Sequence, residues 1–436
     1  MVRMTKYLGA LTASTIMLAA GPTSAATIVI HAGNLIDGTG RPAQKNVSIT
    51  VVDDRITSVT SGFVTPSGAE VIDLSRKTVL PGFIDTHDHI SNTGQRQTIN
   101  RFILTDGDAV INAALNVRRT LGWGFTTIRD LGSGPLTAPA IIRAINDGRI
   151  VGPRIVSSME PIGPTGGHSD PNNGVRPDIH FANRDNTIAD GADEIIREVR
   201  NHHRRGARVI KIYPSGGVAS IGDDPQAMTM TLPEMRAAVE TAHALSMKVA
   251  AHAHGTAAID AAVEAGVDSI EHGTYANAET YRLMKKHGTY LVPTMLVADV
   301  IYRQAMTTPE DLPPTVADKA KAVVPRMREN VAAAYRAGVR IAFGTDQGAA
   351  YGRNKAEEFQ LMVSAGVAPM DAILSATRHA ADLLGESDNI GSVGAGRLAD
   401  IVAVEGDPIN DISVLQNVEF VMKNGDVVKR DGQMLK

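Results

Sequence analysis

Two pairs of histidines, each pair separated by one residue, close short apolar segments of this chain. His87 and His89 end the segment FIDTHDHI, and His252 and His254 end VAAHAH. Residues two apart in a β-strand point to the same face, so each pair would present two imidazoles on one side of a strand. A single pair with this spacing can also arise by chance. A lone buried histidine is usually a core residue with no role in a site. The chain has 13 histidines and no cysteine, so imidazole and carboxylate groups must hold any metal ion.

Three further polar residues stand in similar apolar segments. Lys211 lies between two isoleucines, His272 belongs to SIEHG, and Asp346 ends IAFGTD. A buried, unpaired ammonium is costly or has a lowered pKa, so the lysine is the most unusual of the three. A neutral lysine amine can react with carbon dioxide to form a carbamate, an anion able to bridge two metal ions. The joint placement of these residues favours one reactive centre over independent core residues.

The segments that carry these residues alternate with helical patterns through the middle of the chain. Eight alternations of strand and helix predict an α/β fold, a (β/α)8 TIM barrel, which typically needs about 250 residues. The carboxyl ends of barrel strands meet at the active site, so five histidines, one lysine and one aspartate would converge there. The predicted strands are 83–90, 126–131, 154–159, 209–215, 249–254, 269–273, 290–295 and 341–346.

Both ends of the chain have a different texture. Residues 27–80 and 391–436 show partial apolar alternation interrupted by Asp-Gly and Asn-Gly turns, which is typical of short β-strands. We expect the two ends to form one small β-sandwich domain. The predicted organisation is a signal peptide at 1–25, the N-terminal half of the sandwich at 26–80, the (β/α)8 barrel at 81–385 and the C-terminal half of the sandwich at 386–436.

The first residues have the order of an export signal. Arg3 and Lys6 precede an apolar stretch at 8–20, and small residues before Ala26 suit a cleavage site. The stretch is too short to span a bilayer comfortably. A buried N-terminal helix is the alternative interpretation. The sequence therefore predicts an exported protein, periplasmic or secreted, with no membrane segment in its mature form.

The composition limits the possible partners. The chain has 436 residues, of which 43% are hydrophobic and 21% charged, as expected for a globular protein with a sizeable core. Its 47 acidic and 43 basic residues give a net charge of −4. This balance offers no basic field for a nucleic acid.

The motifs resemble those of the amidohydrolase superfamily of metal-dependent hydrolases over residues 27–436. PGFIDTHDHI at 81–90 and GSVGAGRLADIVAVEGDP at 391–408 carry this resemblance most specifically. The chain looks most like the imidazolonepropionase-like and Xaa-Pro-dipeptidase-like branch, which includes ochratoxin-degrading amidases. Later motifs similar to those of this branch are TGGHSD (165–170), VIKIYPSGG (209–217), AAHAHG (250–255), SIEHGTY (269–275) and FGTDQG (343–348).

This resemblance implies a binuclear metal site. His87, His89 and Asp346 would hold the more buried ion, and His252 and His272 would hold the more exposed one. Both would be divalent ions, and zinc is expected because it accepts nitrogen and oxygen ligands and needs no redox chemistry. Cobalt and manganese are functional substitutes by the same ligand chemistry.

The resemblance also implies the catalytic residues. Lys211, carried as N6-carboxylysine, would bridge the two ions together with a hydroxide. Asp346 would take the proton of that hydroxide and deliver it to the leaving nitrogen of an amide. An amine is a poor leaving group, so this second proton transfer is required.

The residues that would contact the substrate are His168, Tyr213, His254 and Ser91. The resemblance favours hydrogen bonds from His168 and Tyr213 to a substrate carboxylate, although His168 in its Gly-rich loop could equally face solvent. His254 would contact substrate instead of metal. The implied substrate is a dipeptide, an N-acyl amino acid or a related carboxylate-bearing amide such as ochratoxin A.

Two other functions stay open at this point. One is hydrolysis of a cyclic amide, as in imidazolonepropionases or dihydropyrimidinases, and the other is a catalytically dead binding protein. The resemblance further implies a homo-oligomer, with an octamer as one form. Residues 299–325, with their prolines, are a candidate for the rim of the substrate pocket.

Overall fold

The computed structural model describes residues 27–91, 103–176, 178, 187–347 and 352–435. The predicted signal peptide at 1–25 lies outside these residues. Within them, every helix is too short or too polar to cross a membrane.

Strands from the two ends of the chain pair in one eight-stranded sheet. Its order is β15-β14-β13-β12-β4-β1-β2-β3, and β12 joins the two halves by running antiparallel to β4. One apolar core lies against it, with Ile30, Ile49 and Phe420 fully buried. A sandwich would require two sheets, whereas the long β4 pairs with both β1 and β12 and keeps all eight strands in one. The strands are β1 (Thr27–Leu35), β2 (Gln44–Val52), β3 (Arg55–Ser61), β4 (Glu70–Pro81), β12 (Ile401–Val404), β13 (Val418–Lys423), β14 (Asp426–Arg430) and β15 (Gln433–Met434).

The middle of the chain contains seven parallel strands in two sheets. The first has the order β5-β6-β7 and the second β11-β10-β9-β8. These seven strands agree with the first seven that the sequence predicts. They are β5 (Phe83–Asp88), β6 (Phe125–Asp130), β7 (Arg154–Ser157), β8 (Val209–Ile212), β9 (Lys248–Ala253), β10 (Ser269–His272) and β11 (Tyr290–Val292).

The eighth predicted strand, 341–346, is not a regular strand. Ile341 makes one isolated bridge to Leu291 of β11, and Thr86 of β5 donates its N–H to the carbonyl of Phe343 at 2.8 Å. The two parallel sheets are themselves linked by one isolated bridge, between Ile162 and Ile212. Among the described residues, the structure therefore shows an α/β fold with two parallel sheets, and the predicted closed barrel is not confirmed. The reason is that the segment 341–346 is joined to β5 and β11, and one parallel sheet to the other, by isolated bridges and hydrogen bonds and not by continuous β-ladders.

Helices cover the parallel strands and bury their apolar faces against them. Local signals set several of their starts: Thr105 with Asp108, and Thr231 with Glu234, form capping boxes. The helices are α1 (Asp106–Gly122), α2 (Thr137–Asn146), α3 (Ala192–Arg204), α4 (Leu232–Ala244), α5 (Thr256–Ala265), α6 (Ala278–His287), α7 (Met295–Thr307), α8 (Pro314–Arg336), α9 (Glu357–Ser364), α10 (Pro369–Ser375) and α11 (Arg378–Leu384), with 3-10 turns at Pro309–Asp311 and Ile412–Gln416.

The parallel strands are buried on both faces. Every residue of β5, β6, β8 and β10 is buried, including several charged ones. A charged group in such a place must be paired or must serve a site. Many polar side chains lie at the carboxyl ends of these strands.

Candidate active site

A cavity of about 540 Å³ opens at the carboxyl ends of the parallel strands. All the site residues named from the sequence line it, so the structure brings the whole predicted set together. They are His87, His89, Ser91, His168, Lys211, Tyr213, His252, His254, His272 and Asp346. Three residues of the predicted rim segment 299–325, Ile301, Gln304 and Leu312, also line this cavity.

His87, His89 and Asp346 form the first cluster of possible metal ligands, with their nearest donor atoms within 4.8 Å of one another. Oδ1 of Asp346 lies 3.3 Å from Nε2 of His89 and 3.8 Å from Nε2 of His87. Asp346 has φ of 49° and donates its N–H to the His87 carbonyl at 2.7 Å. A left-handed backbone is uncommon for aspartate, and this turn aims its carboxylate at the two imidazoles.

His252, His254 and His272 form the second cluster, within the same 4.8 Å limit. The rings of His254 and His272 are stacked, with centroids 4.9 Å apart and planes 8° apart. The resemblance implies that His254 contacts substrate. It lies as near to His252 and His272 as a third ligand would, so its position alone does not separate a substrate contact from a ligand.

Of the four histidines that the resemblance implies as metal ligands, three have their Nδ1 nitrogen already engaged. Nδ1 of each faces an acceptor oxygen at 2.6–2.8 Å, and the Thr294 hydroxyl gives its own proton to the Pro293 carbonyl and so accepts from His272. A proton fixed on Nδ1 leaves Nε2 free to coordinate, which is the usual arrangement of histidine ligands and their outer partners. The pairs are His87 with Glu271, His89 with the Gly132 carbonyl, and His272 with Thr294.

Burial keeps most of these imidazoles neutral. Desolvation, followed by the nearby Lys211 ammonium, lowers the pKa of His87 to about 4. Desolvation and neighbouring histidines hold the pKa of His252 and of His272 well below the ordinary value. Neutral imidazole is the form that binds metal ions, so His87, His252 and His272 are in the ligating form at neutral pH. His89 differs, because burial would lower its pKa but the hydrogen bond with Asp346 and the charge of that carboxylate raise it.

The carboxylate of Asp346 is ionised in this setting. Burial would raise its pKa, but electrostatic interactions with His87 and a hydrogen bond with His89 hold the pKa well below the usual range. The first cluster therefore offers one anionic ligand beside two imidazoles.

Lys211 is 1% exposed and lines the cavity together with both clusters. Burial lowers the pKa of its amine to about 8, although Glu271 and Asp346 oppose the shift. Its Nζ lies 5.2 Å from the centre of the Tyr213 ring. A substantial fraction of the amine is thus neutral, and nucleophilic, slightly above neutral pH.

A buried ion pair that the sequence analysis did not identify supports His87. Glu271 contacts His87 Nδ1 at 2.8 Å and Nη2 of Arg129 at 2.9 Å. Burial opposes ionisation of Glu271, but the charge of Arg129 and the hydrogen bond with His87 lower its pKa to about 2. The available signal was a charged residue directly after an isoleucine in each of two predicted strands, Arg129 after Ile128 and Glu271 after Ile270.

A second buried network joins β5 to the segment 341–346. Nζ of Lys355 lies 2.7 Å from Asp85 Oδ2 and 3.0 Å from Asp88 Oδ1. Asp85 also accepts the backbone N–H groups of His87 and Thr345, at 3.0 and 3.1 Å. These bonds fix the backbone on both sides of the first cluster.

His168 lies over the second cluster. Its ring stacks on that of His252, with centroids 4.5 Å apart, and lies 5.1 Å from the Tyr213 ring. Nδ1 of His168 is 2.8 Å from the hydroxyl oxygen of Ser220. His168 therefore faces the cavity, so the open alternative of a solvent-facing histidine is not what the structure shows.

The opposite side of the cavity is apolar. Helices α7 and α8 contribute Val297, Ala298, Ile301, Val324 and Met327 to its lining, and the same residues form a buried apolar cluster with Val218. The cavity thus joins a polar half with possible metal ligands to a half that suits an apolar group.

Comparison with known proteins agrees with this geometry. The sequence profile described as "Amidohydrolase family" matches residues 78–428. An ochratoxinase of Aspergillus niger is 34% identical, over 95% of this chain and 89% of the relative. A crystal structure of a Xaa-Pro dipeptidase with bound methionine in the active site superposes with a TM-score of 0.89 at 38% identity, covering 93% of this chain and 100% of that one. The crystal structure of A. niger ochratoxinase gives 0.83 at 30% identity, over 93% and 96%.

Proposed function

The chain belongs to the amidohydrolase family and is a hydrolase of amide bonds, and we propose that it is a binuclear metal enzyme for amides that carry a carboxylate. Dipeptides, N-acyl amino acids and ochratoxin A are the substrates in view. The observation that carries the proposal is the presence of two ligand clusters and a buried lysine in one cavity.

The donor set fits two divalent ions, with zinc the expected metal, because neutral imidazoles and one carboxylate are the ligands that zinc accepts. His87, His89 and Asp346 would hold one ion, and His252 and His272 the other. When bound, the two ions would supply an activated water and polarise the amide carbonyl. The nitrogens tied to Glu271, to the Gly132 carbonyl and to Thr294 keep three of these imidazoles oriented toward the ions.

Lys211 would complete the set as N6-carboxylysine. Its lowered pKa makes the neutral amine available for reaction with carbon dioxide. The resulting carbamate would be an anion buried among the two clusters. It would also remove the unfavourable positive charge beside His87 and His272.

Asp346 would move the proton in the reaction. Its ionised carboxylate would accept a proton from the attacking water as the new carbon–oxygen bond forms. It would then donate this proton to the amide nitrogen as the carbon–nitrogen bond breaks, so the product leaves as a neutral amine. The left-handed turn at Asp346 and its N–H bond to the His87 carbonyl at 2.7 Å would hold the carboxylate in place for both transfers.

The substrate would lie across both halves of the cavity. His168 and Tyr213 would bind its carboxylate, Ser91 and His254 would contact it nearby, and the α7–α8 side would take an apolar group. A cavity of about 540 Å³ is in the range that encloses a molecule of this size. The dipeptidase with bound methionine and the ochratoxinase both point to substrates of this kind.

The test is a substrate panel on purified protein with its metal content measured. We expect two divalent ions per chain, hydrolysis of N-acyl-phenylalanine, dipeptides or ochratoxin A, and loss of activity with a chelator. Hydrolysis of hydantoins or imidazolones alone would favour the cyclic-amide alternative. No metal uptake and no activity after reconstitution would favour a binding protein.

Two further properties are proposed with the function. Residues 1–25 would direct export to the periplasm or the medium, which N-terminal sequencing of the mature protein would test. The chain would assemble as a homo-oligomer, which light scattering of the purified protein would test.

A further inference from the structure

A lysine outside the proposed ligand set holds the loop that reaches His168. Lys319 lies on α8, and its Nζ contacts the carbonyl oxygens of Gly217, Ser220 and Asp223 at 2.7, 2.6 and 3.0 Å. It also lies 3.2 Å from Oδ1 of Asp223. An ammonium has three N–H donors, and four oxygens surround this one. Lys319 therefore has no donor left for a substrate, and we call residues 217–223 the clamp loop.

The clamp loop in turn holds His168. The Ser220 hydroxyl lies 2.8 Å from His168 Nδ1 and also contacts the Asp223 carboxylate, whose other oxygen is 3.6 Å from the same nitrogen. A Cβ added to Gly217 would lie 2.2 Å from the His168 ring, so the ring packs directly on the loop backbone. A shift of the loop would therefore move His168.

Lys319 also compensates a buried negative charge. Asp223 is 3% exposed. Burial opposes its ionisation, but hydrogen bonds with His168 and Ser220 and the charge of Lys319 keep its pKa well below the usual range. The Asp223 carboxylate lies beside His168, which we propose binds the substrate carboxylate. Without Lys319, these two carboxylates would repel each other.

We propose that Lys319 is a positioning residue that sets the affinity for the substrate carboxylate, by holding the clamp loop against His168 and by neutralising Asp223. The inference rests on the proposed function, in which His168 receives that carboxylate. Lys319 itself acts from behind the loop, and it is not among the described residues that line the cavity.

The kinetic test compares Lys319→Met with Lys321→Met, a matched change at an exposed position of the same helix. Each variant is assayed with N-acyl-phenylalanine and with the same compound capped as its carboxamide. For Lys319→Met we expect KM for the acid to rise about 10-fold, the size of a lost hydrogen bond to a charged group. We expect kcat to stay within about threefold and kcat/KM for the capped compound to be unchanged, because carboxylate binding alone is weakened. Lys321→Met should change none of these values.

An equal loss for acid and capped compound, or no loss, would overturn the inference. Ser220→Ala gives a second arm if Lys319→Met folds poorly, since it removes the contact to His168 and leaves the backbone contacts of Lys319 in place. Its KM for the acid should rise in the same direction by a smaller factor.

Amide hydrogen exchange in the absence of substrate tests whether Lys319 stabilises the clamp loop, independently of the reaction. The amides of residues 217–223 should exchange faster in Lys319→Met than in wild type or Lys321→Met, and unchanged exchange would refute the positioning role. A wild-type enzyme that treats acid and capped compound alike would contradict the proposed function instead, whatever the exchange result.

Discussion

Charged side chains are at least partly exposed in the eight-stranded sheet, whereas several in the parallel strands are fully buried. In the eight-stranded sheet, charged side chains stay near solvent, as with Lys77, which is 16% exposed and pairs with the 31% exposed Glu419. In the parallel strands, Asp85, Arg129 and Glu271 are fully buried, and the chain supplies each with an opposite charge. Burying ion pairs seldom adds net stability. The difference indicates that the parallel strands retain these charges for the cavity that they surround.

The largest effect should come from a change at Asp346, the proposed proton carrier. Asp346→Asn keeps the shape of the side chain but removes its basicity, so we expect kcat to fall by at least about 10³-fold. Turnover would be compared at equal metal content, determined by elemental analysis. Near-normal turnover in a fully metal-loaded variant would refute the proposed role of Asp346.

The next effect concerns the buried amine. Lys211→Ala should lower the affinity for metal by at least about 100-fold, the loss seen when even an outer partner of a ligand is removed. Lys45→Ala, at an exposed position of β2, is the matched control and should retain both ions. Two ions at full occupancy in Lys211→Ala without added carboxylate would contradict the bridging role.

A third test compares buried and exposed ion pairs directly. Lys355→Met leaves Asp85 and Asp88 without their cation, so the free energy of unfolding should fall by about 3–5 kcal/mol. Lys77→Met removes a partly exposed pair of the eight-stranded sheet, so the loss should be smaller, about 0–1 kcal/mol. Urea denaturation of the metal-free proteins gives both values. Equal losses would remove the distinction between the two regions.

The smallest effect is a pH dependence of stability. Glu358 is fully buried and accepts the N–H groups of Met295 and Leu296. Burial raises its pKa from 4.5 to about 8 despite these bonds. The folded state therefore holds this proton more tightly than the unfolded state, so its contribution is complete below the unfolded pKa and is lost as pH rises through about 8.

Glu358→Gln should remove this contribution to the pH dependence. The difference in melting temperature between about pH 5 and about pH 9 should be smaller in the variant than in wild type. Glu70→Gln, at an exposed position of β4, should leave the difference unchanged. A wild-type-like difference in Glu358→Gln would show that other groups cause the dependence.

The sequence was sufficient for the residues at strand ends. The two-residue period of β5 and β9 predicts that His87 and His89, and also His252 and His254, face one cavity, and each pair lines it. The period does not separate ligands from substrate contacts, since His254 shares its face with His252 and lies equally near His272.

The buried ion pairs that support the residues at the strand ends could not be predicted from the same two-residue period. Lys355 and Asp85 are 270 positions apart, and Glu271 and Arg129 are 142 apart. No local period links such residues, so only the folded chain reveals the pairs. The irregular pairing of 341–346 has a similar origin, because its bonds to β5 and β11 depend on how distant segments meet.

From the contact of Lys355 with Asp85, which joins distant parts of the chain, we also infer an order of events during folding. Loop closure over so long a stretch is slow and entropically costly, so contacts within the first half of the chain form earlier. His87 and His89 can be in place on β5 while Asp346 is still far away. The first ligand cluster becomes complete only when the segment that ends at Lys355 has docked. A partly folded chain in which this segment has not docked would have both histidine pairs but an incomplete first ligand cluster. Activity should therefore appear abruptly, late in folding, and not in proportion to the structure already formed.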